Sequence, residues 1–181
     1  SAPLTEVIRE AAEPHTNRVK DVVIHCSGDD ETDMATPIIL RRPEIIHGLR
    51  TLIQNAVDFS RATVWVDARW TAKTVSIRIM DDGPGYPPPM LGRIGDPFMR
   101  YRKTERERHA RPEYEGMGLG LFIAKTLLER SGAELSFANG NERSNGKIRG
   151  AVVEVVWPRD MIAAPTLPKG EGIGENRPFE I

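Results

Sequence analysis

The chain has 181 residues, 39% of them hydrophobic and 28% charged, which suits one globular domain and excludes a disordered or fibrous chain. Its 25 Lys and Arg against 26 Asp and Glu give no electrostatic footprint for nucleic acid, and no apolar run approaches the roughly 20 residues of a bilayer span. The single cysteine, Cys26, excludes an intrachain disulfide and fits a reducing cytoplasm; ending the apolar run "DVVIHC", it reads as a packed thiol.

In chain order, "LTEVIREAAE" carries Leu4, Val7, Ile8, Ala11 and Ala12 at helical spacing and is closed by Pro14. "VKDVVIHC" reads as a strand, "GDDETDMATP" as a polar turn region and "PIILR" as a second short strand. Pro43 suits the first position of the helix "RPEIIHGLRTLIQNAVDFS", where Ile45, Ile46, Leu49, Leu52, Ile53, Ala56 and Val57 share one face. "ATVWVDARW" and "KTVSIRIMDD" alternate at period two and form a hairpin around Thr71-Ala72-Lys73. From Gly83 to Glu115 the pattern breaks into Pro84, Pro87, Pro88, Pro89, Pro97, Pro112 and the basic run "RYRKTERERHAR". A loop this long in a compact domain is usually a lid or a disordered segment.

The stretch "EGMGLGLFIAKTLLERSG" starts as a glycine loop and becomes an amphipathic helix. "AELSFANG" and "GAVVEVVWP" are two further strands. After Pro158 the chain turns Pro- and Gly-rich, so a domain is expected over residues 1–158 and a flexible tail over 159–181. The hairpin strands are only half apolar, which leaves one sheet face wet. The expected architecture is an α/β (α+β) two-layer sandwich, with three helices on one face of a mixed sheet of five or six strands.

Three features carry chemistry. Gly116, Gly118 and Gly120 lead the third helix, where each glycine costs roughly 1 kcal/mol relative to alanine. The usual return is close backbone approach, and the free N–H groups at a helix's positive end make phosphate the first candidate. Asn55 stands at the edge of the long helix's apolar face, and "DDGPGY" ends a strand in a tight turn with Asp81 at its mouth. Singly, each has a plainer reading: a surface amide, turn chemistry, a weak glycine triplet. Their order and spacing together are far more specific.

In that order the chain resembles the ATP-binding catalytic domain of sensor histidine kinases, in the Bergerat fold group with gyrase, the heat-shock chaperones and the mismatch-repair protein MutL. "LIQNA" looks like the N box, "DDGPG" the first glycine box, "DPF" the F box and "GMGLGLFIAK" the second glycine box. The resemblance runs from Leu4 to Pro158. "GMGLGLFIAKTLLERSGAELSFAN" with "IQNAVDFS" looks similar to the RegB/PrrB redox-responsive kinases.

This resemblance implies that the chain binds ATP with Mg²⁺ and donates the γ-phosphate to a histidine on its own dimerisation domain, with a response regulator downstream. Asn55 would hold Mg²⁺ through its amide oxygen, a hard ligand for a hard cation. Asp81 would accept a hydrogen bond from the adenine amine, where guanine would present a clashing acceptor. Gly83 and Gly85 would let the backbone close on the base. Gly116, Gly118 and Gly120 would bring loop amides to the phosphates, with Leu119 supplying an N–H. Phe59 would pack on the adenine face or simply in the core. Arg100, Arg102 and Lys103 are candidates for the β- or γ-phosphate, against the plainer reading of a solvated basic lid. Arg100 is favoured by its place after "DPF", Phe98 would anchor the lid, and Pro87 to Glu115 would order on Mg-ATP.

The chain departs from the family's pattern in three places. Asp58 stands where many such kinases carry a phosphate-touching base, so the lid bases or Lys125 would have to compensate. Thr51 stands where the ATPase relatives place a water-activating glutamate, which argues against vigorous hydrolysis. None of His15, His25, His47 and His109 lies in an acceptor-type segment, so the acceptor belongs elsewhere. The resemblance implies a cytoplasmic domain of a kinase anchored in the inner membrane, touching membrane only through that parent. Two other functions stand beside it: a gyrase- or MutL-like ATPase module, and a degenerate nucleotide-sensing scaffold.

Overall fold

The longest amphipathic stretch of the sequence forms the centre of the molecule. The computed structural model describes residues 1–15, 20–29, 35–87, 91, 117–140 and 150–165. Helix α2 (Pro43–Phe59) starts with Pro43 in its first turn, where a missing N–H costs nothing. Its buried stripe is Ile45, Gly48, Leu49, Leu52, Ile53, Ala56 and Val57. Ile46, expected on that face, is only partly buried at its edge. Gly48 admits α3 (Met117–Arg130) closely, because a Cβ there would lie 2.5 Å from Leu128 Cγ. On the other side of α2 packs α1 (Leu4–Ala12), through Leu4, Val7, Ile8, Ala11 and Ala12.

These helices cover one face of a mixed five-stranded sheet, ordered β2-β4-β5-β7-β6. The strands are β2 (Asp21–Gly28), β4 (Thr63–Trp70), β5 (Thr74–Asp81), β6 (Glu134–Asn139) and β7 (Ala151–Pro158). β2 runs parallel to β4, and the remaining pairs are antiparallel. Register aligns the core-facing residues in rows. One row runs Ile24, Val66, Ile79, Val153, Phe137, and the next Cys26, Ala68, Ile77, Val155, Leu135. Cys26 therefore sits in a packing row, where burial pushes its thiol pKa up, offset by Arg9 and reinforced by Asp67. The opposite face carries Asp67, Arg78 and Glu154, with Arg78 and Glu154 paired at 2.7 Å. This is the wet face that the strand alternation implied.

All six expected strands form, but "PIILR" contracts to β3 (Ile38–Ile39) and lies outside the main sheet. It pairs with β1 (Ala2–Pro3), which the sequence pattern did not show. The chain also continues to pack beyond Pro158, where the tail was expected to begin. Helix α4 (Arg159–Ile162) buries Ile162, and Leu40 and Ala164 donate backbone hydrogen bonds to Ile162 and Ile38. Residues 159–165 thus close onto β3, while 166–181 lie outside the described residues.

Candidate functional site

β5 ends in a buried acid. Asp81 is only 2% exposed, and its Oδ1 accepts hydrogen bonds from the Gly83 N–H at 2.8 Å and the Ala151 N–H at 3.4 Å. The Gly150 N–H donates to the Asp81 carbonyl at 2.6 Å, so the start of β7 grips the end of β5. Among the described residues both side-chain bonds end on Oδ1. Burial pushes the Asp81 pKa up to about 6. The Gly83 and Ala151 hydrogen bonds pull it back, the Asp82 charge adds to the rise and Lys20 opposes it. A carboxylate kept out of water at this cost is a common mark of a functional position.

The turn after Asp81 is shaped by close backbone contact. A Cβ on Gly83 would lie 2.9 Å from the Phe59 carbonyl carbon and closer still to its oxygen. Gly85 has φ +81°, a left-handed conformation that favours glycine. Asp82 caps the entry to β4, accepting from the N–H groups of Arg61, Ala62 and Thr63. Partial burial works against its charge, but those three donors outweigh it and hold its pKa below the usual carboxylate range. Lys20 Nζ donates to the Val57 and Ser60 carbonyls at 2.7 and 2.8 Å, closing the C-terminus of α2.

The other half of the site is made by α2 and the start of α3. Gly118 is buried, Leu119 is 43% exposed and Gly120 is half-buried. A Cβ on Gly120 would meet Thr51 Cγ2 at 3.9 Å, so the first turn of α3 rests beside Thr51. Thr51, Asn55 and Phe59 are spaced i, i+4, i+8 and share one side of α2. Thr51 faces Gly120 of α3, and the Phe59 carbonyl abuts the Gly83 turn. Asn55 lies between them, about 6 Å along the axis from each. Its single amide oxygen suits Mg²⁺, which takes one or two protein ligands and fills its shell with phosphate oxygens and water. Among the described residues no cluster of three His, Cys, Asp or Glu offers an all-protein cage.

The remaining sequence candidates sort clearly. Phe59 is partly buried against the core, so the structure places it both in the packing and beside the Gly83 turn. The Thr51 hydroxyl donates to the His47 carbonyl at 2.9 Å, and Asp58 accepts from Gln54 at 2.7 Å. Lys125, considered as a substitute phosphate contact, pairs with Glu129 at 2.9 Å. Arg100, Arg102, Lys103 and Gly116 lie outside the described residues, as does Phe98 and nearly all of the lid.

Two site residues escaped the sequence reading. A Cβ on Gly150 would lie 2.6 Å from Asp81 Oδ1 and 2.8 Å from the Gly83 carbonyl carbon. Only its place directly before an alternating strand hinted at this. Asn139 ends β6 and hydrogen-bonds to Tyr86, which follows Gly85.

The sequence profile of the family described as "Histidine kinase-, DNA gyrase B-, and HSP90-like ATPase" matches residues 41–161. Over 178 residues, 95% of this chain, the sequence is 58% identical to the sensor histidine kinase RegB of Cereibacter sphaeroides. That match covers 38% of RegB, so the chain spans well under half the length of this curated relative. The structure is similar to the mycobacterial sensor histidine kinase MprB, with a TM-score of 0.61 at 21% identity over 91% of this chain and 99% of that one. It is also similar to full-length ShkA solved in complex with AMPPNP, with a TM-score of 0.62 at 23% identity over 92% of this chain and 32% of that one. Both structural likenesses concern the fold.

Proposed function

We propose that this chain, which belongs to the family of histidine kinase-, DNA gyrase B- and HSP90-like ATPases, is the ATP-binding catalytic domain of a two-component sensor histidine kinase. It would bind Mg-ATP and donate the γ-phosphate to a histidine on a separate dimerisation domain, from which a response regulator takes it. The observation that carries the reading is the position of Asn55, on α2 between the first turn of α3 and the Gly83 turn. In this reading one amide stands between the helix terminus that would face the phosphates and the turn that would face the base.

Each group has a chemical task in this reading. Asp81 Oδ2 accepts from the adenine amine, and burial sharpens that selectivity because no water replaces a lost partner. The first turn of α3 presents backbone N–H groups, and Gly118 and Gly120 keep side chains out of their path. Mg²⁺, when held by Asn55, neutralises triphosphate charge. Thr51 has no proton-accepting carboxylate and its hydroxyl is bonded to the His47 carbonyl, so nothing at that position activates water. Transfer to a protein nucleophile is favoured over hydrolysis. The parent kinase would be anchored in the inner membrane with this domain in the cytoplasm, a placement supported by the likeness to RegB. Among the described residues no helix is long and apolar enough to cross a membrane.

Calorimetric titration with Mg-ATP, followed by labelled ATP with and without a separately supplied histidine-bearing dimerisation domain, tests the reading. The expected result is binding, slow hydrolysis, no stable label on this chain alone and label on the added domain. Fast hydrolysis would favour a gyrase-like ATPase, and binding without transfer a sensing scaffold.

A further inference from the structure

The turn that carries Gly83 and Gly85 is held from two sides. β7 grips its start through Gly150 and Ala151, as described for Asp81. Its end is gripped by β6, a strand that the nucleotide reading does not otherwise use. We propose that Asn139 is a positioning residue for the nucleotide, acting through Tyr86 to hold the first glycine turn in the shape that receives the base. This rests on the reading of that turn as the wall of the adenine pocket.

The geometry is specific to an amide. Asn139 Oδ1 accepts from the Tyr86 N–H at 2.7 Å, and Asn139 Nδ2 donates to the Tyr86 carbonyl at 2.8 Å. One side chain thereby satisfies both backbone groups of one residue, as a ladder partner would in a sheet. Gly85 is matched to it: a Cβ there would lie 2.6 Å from Asn139 Oδ1. Two residues earlier on β6, the Phe137 ring meets the Tyr86 ring edge-on, with centroids 6.1 Å apart and planes at 76°. Tyr86 is 4% exposed; the ring contact packs its side chain, and the Asn139 amide holds its backbone. Alanine at 139 removes both hydrogen bonds. Aspartate keeps the acceptor but sets a carboxylate oxygen against the Tyr86 carbonyl. A turn freed at its Tyr86 end samples more conformations, and the bound base must then carry the ordering cost.

Adenosine and Mg-ATP are titrated calorimetrically into wild type, Asn139→Ala, Asn139→Asp and Phe137→Leu, with thermal unfolding followed in parallel. The two Asn139 variants are expected to weaken both ligands by about the same factor, roughly five- to tenfold, because the loss lies at the base. In phosphotransfer to a supplied histidine domain, the KM for ATP rises by that factor while kcat stays within about twofold. Phe137→Leu, which spares the amide, lowers the melting temperature but leaves adenosine affinity within about twofold. Wild type that fails to bind adenosine removes the nucleotide reading and this inference with it. Wild type that binds, with Asn139 variants that bind equally well, removes this inference alone. Equal weakening in Phe137→Leu, or loss of the fold in both Asn139 variants, assigns Asn139 a purely structural role and overturns it.

Discussion

A methyl group on Gly83 would drive into the Phe59 carbonyl, whereas a methyl group on Gly120 would find, among the described residues, only Thr51 Cγ2, at 3.9 Å. Both glycines belong to motifs of the same candidate site, yet the fold constrains them differently. At the turn after β5, backbone packs on backbone: Gly83 against Phe59, Gly150 against Gly83 and Asp81. Those glycines are required before any ligand arrives. At the start of α3 the described residues leave room, and none of them gives a reason for glycine at 120. What the protein does not demand, a ligand can. In the proposed reading the base end of the site is therefore a preformed wall, and the phosphate end is a surface that the described residues leave clear.

The largest expected effect tests the wall. Gly83→Ala should cost about 3 kcal/mol or more of folding stability, because the obstruction is backbone and cannot rotate away. Urea denaturation measures it, and wild-type stability in this variant would show that the wall yields. Next comes Asn55→Ala, between the two regions. Phosphotransfer to a supplied histidine domain should fall by about 100-fold or more while the melting temperature stays close to wild type. Undiminished transfer would remove Asn55 from the metal.

Asp81→Asn sharpens the comparison from the side of charge. The folded-state pKa of Asp81 is raised to about 6 from 3.8, so between these values the folded chain holds more protons than the unfolded one. Stability from this group is present below about pH 3.8 and is lost as pH rises through about 6. At neutral pH the buried carboxylate costs the fold on the order of 3 kcal/mol. Asparagine keeps the oxygen that Gly83 and Ala151 donate to and removes that cost. The variant should be more stable than wild type at pH 7.5, equal to it near pH 3.5, and unable to bind adenosine. Loss of stability at pH 7.5 would mean that the second oxygen already has a structural partner.

Long-period signals were legible in the sequence and short contacts were not. The seven apolar positions of α2 and the period-two hairpin repeat often enough to be read without coordinates. The Thr51, Asn55, Phe59 spacing was equally visible, because it lies within one helix. β1 and β3 have two residues each, too few for any periodicity, and α4 is a single turn after a proline. Gly150 and Asn139 touch residues about 70 and 53 positions away, so only the folded sheet brings them to the site. The resemblance to a kinase family pointed to candidate ligands of a nucleotide but not to the residues that hold those candidates in place.

Gly120→Ala carries the smallest effect on the fold and the opposite sign. The position lies inside α3, half-buried, with ordinary contact distance to its neighbour. Alanine in a helix is favoured over glycine by about 0.8–1 kcal/mol, through the lower backbone entropy of the unfolded chain. The variant should therefore unfold at slightly higher temperature than wild type. If the clear surface serves phosphate, the added methyl group stands where a triphosphate oxygen approaches the helix amides. Mg-ATP affinity should then fall while adenosine affinity, set at the Asp81 wall, stays unchanged. That pattern, a gain in stability with a loss confined to the phosphate-bearing ligand, separates the two regions in one variant. Equal weakening of adenosine and ATP would mean that the two ends are coupled through α2, and the division into a wall and a cleared surface would fail.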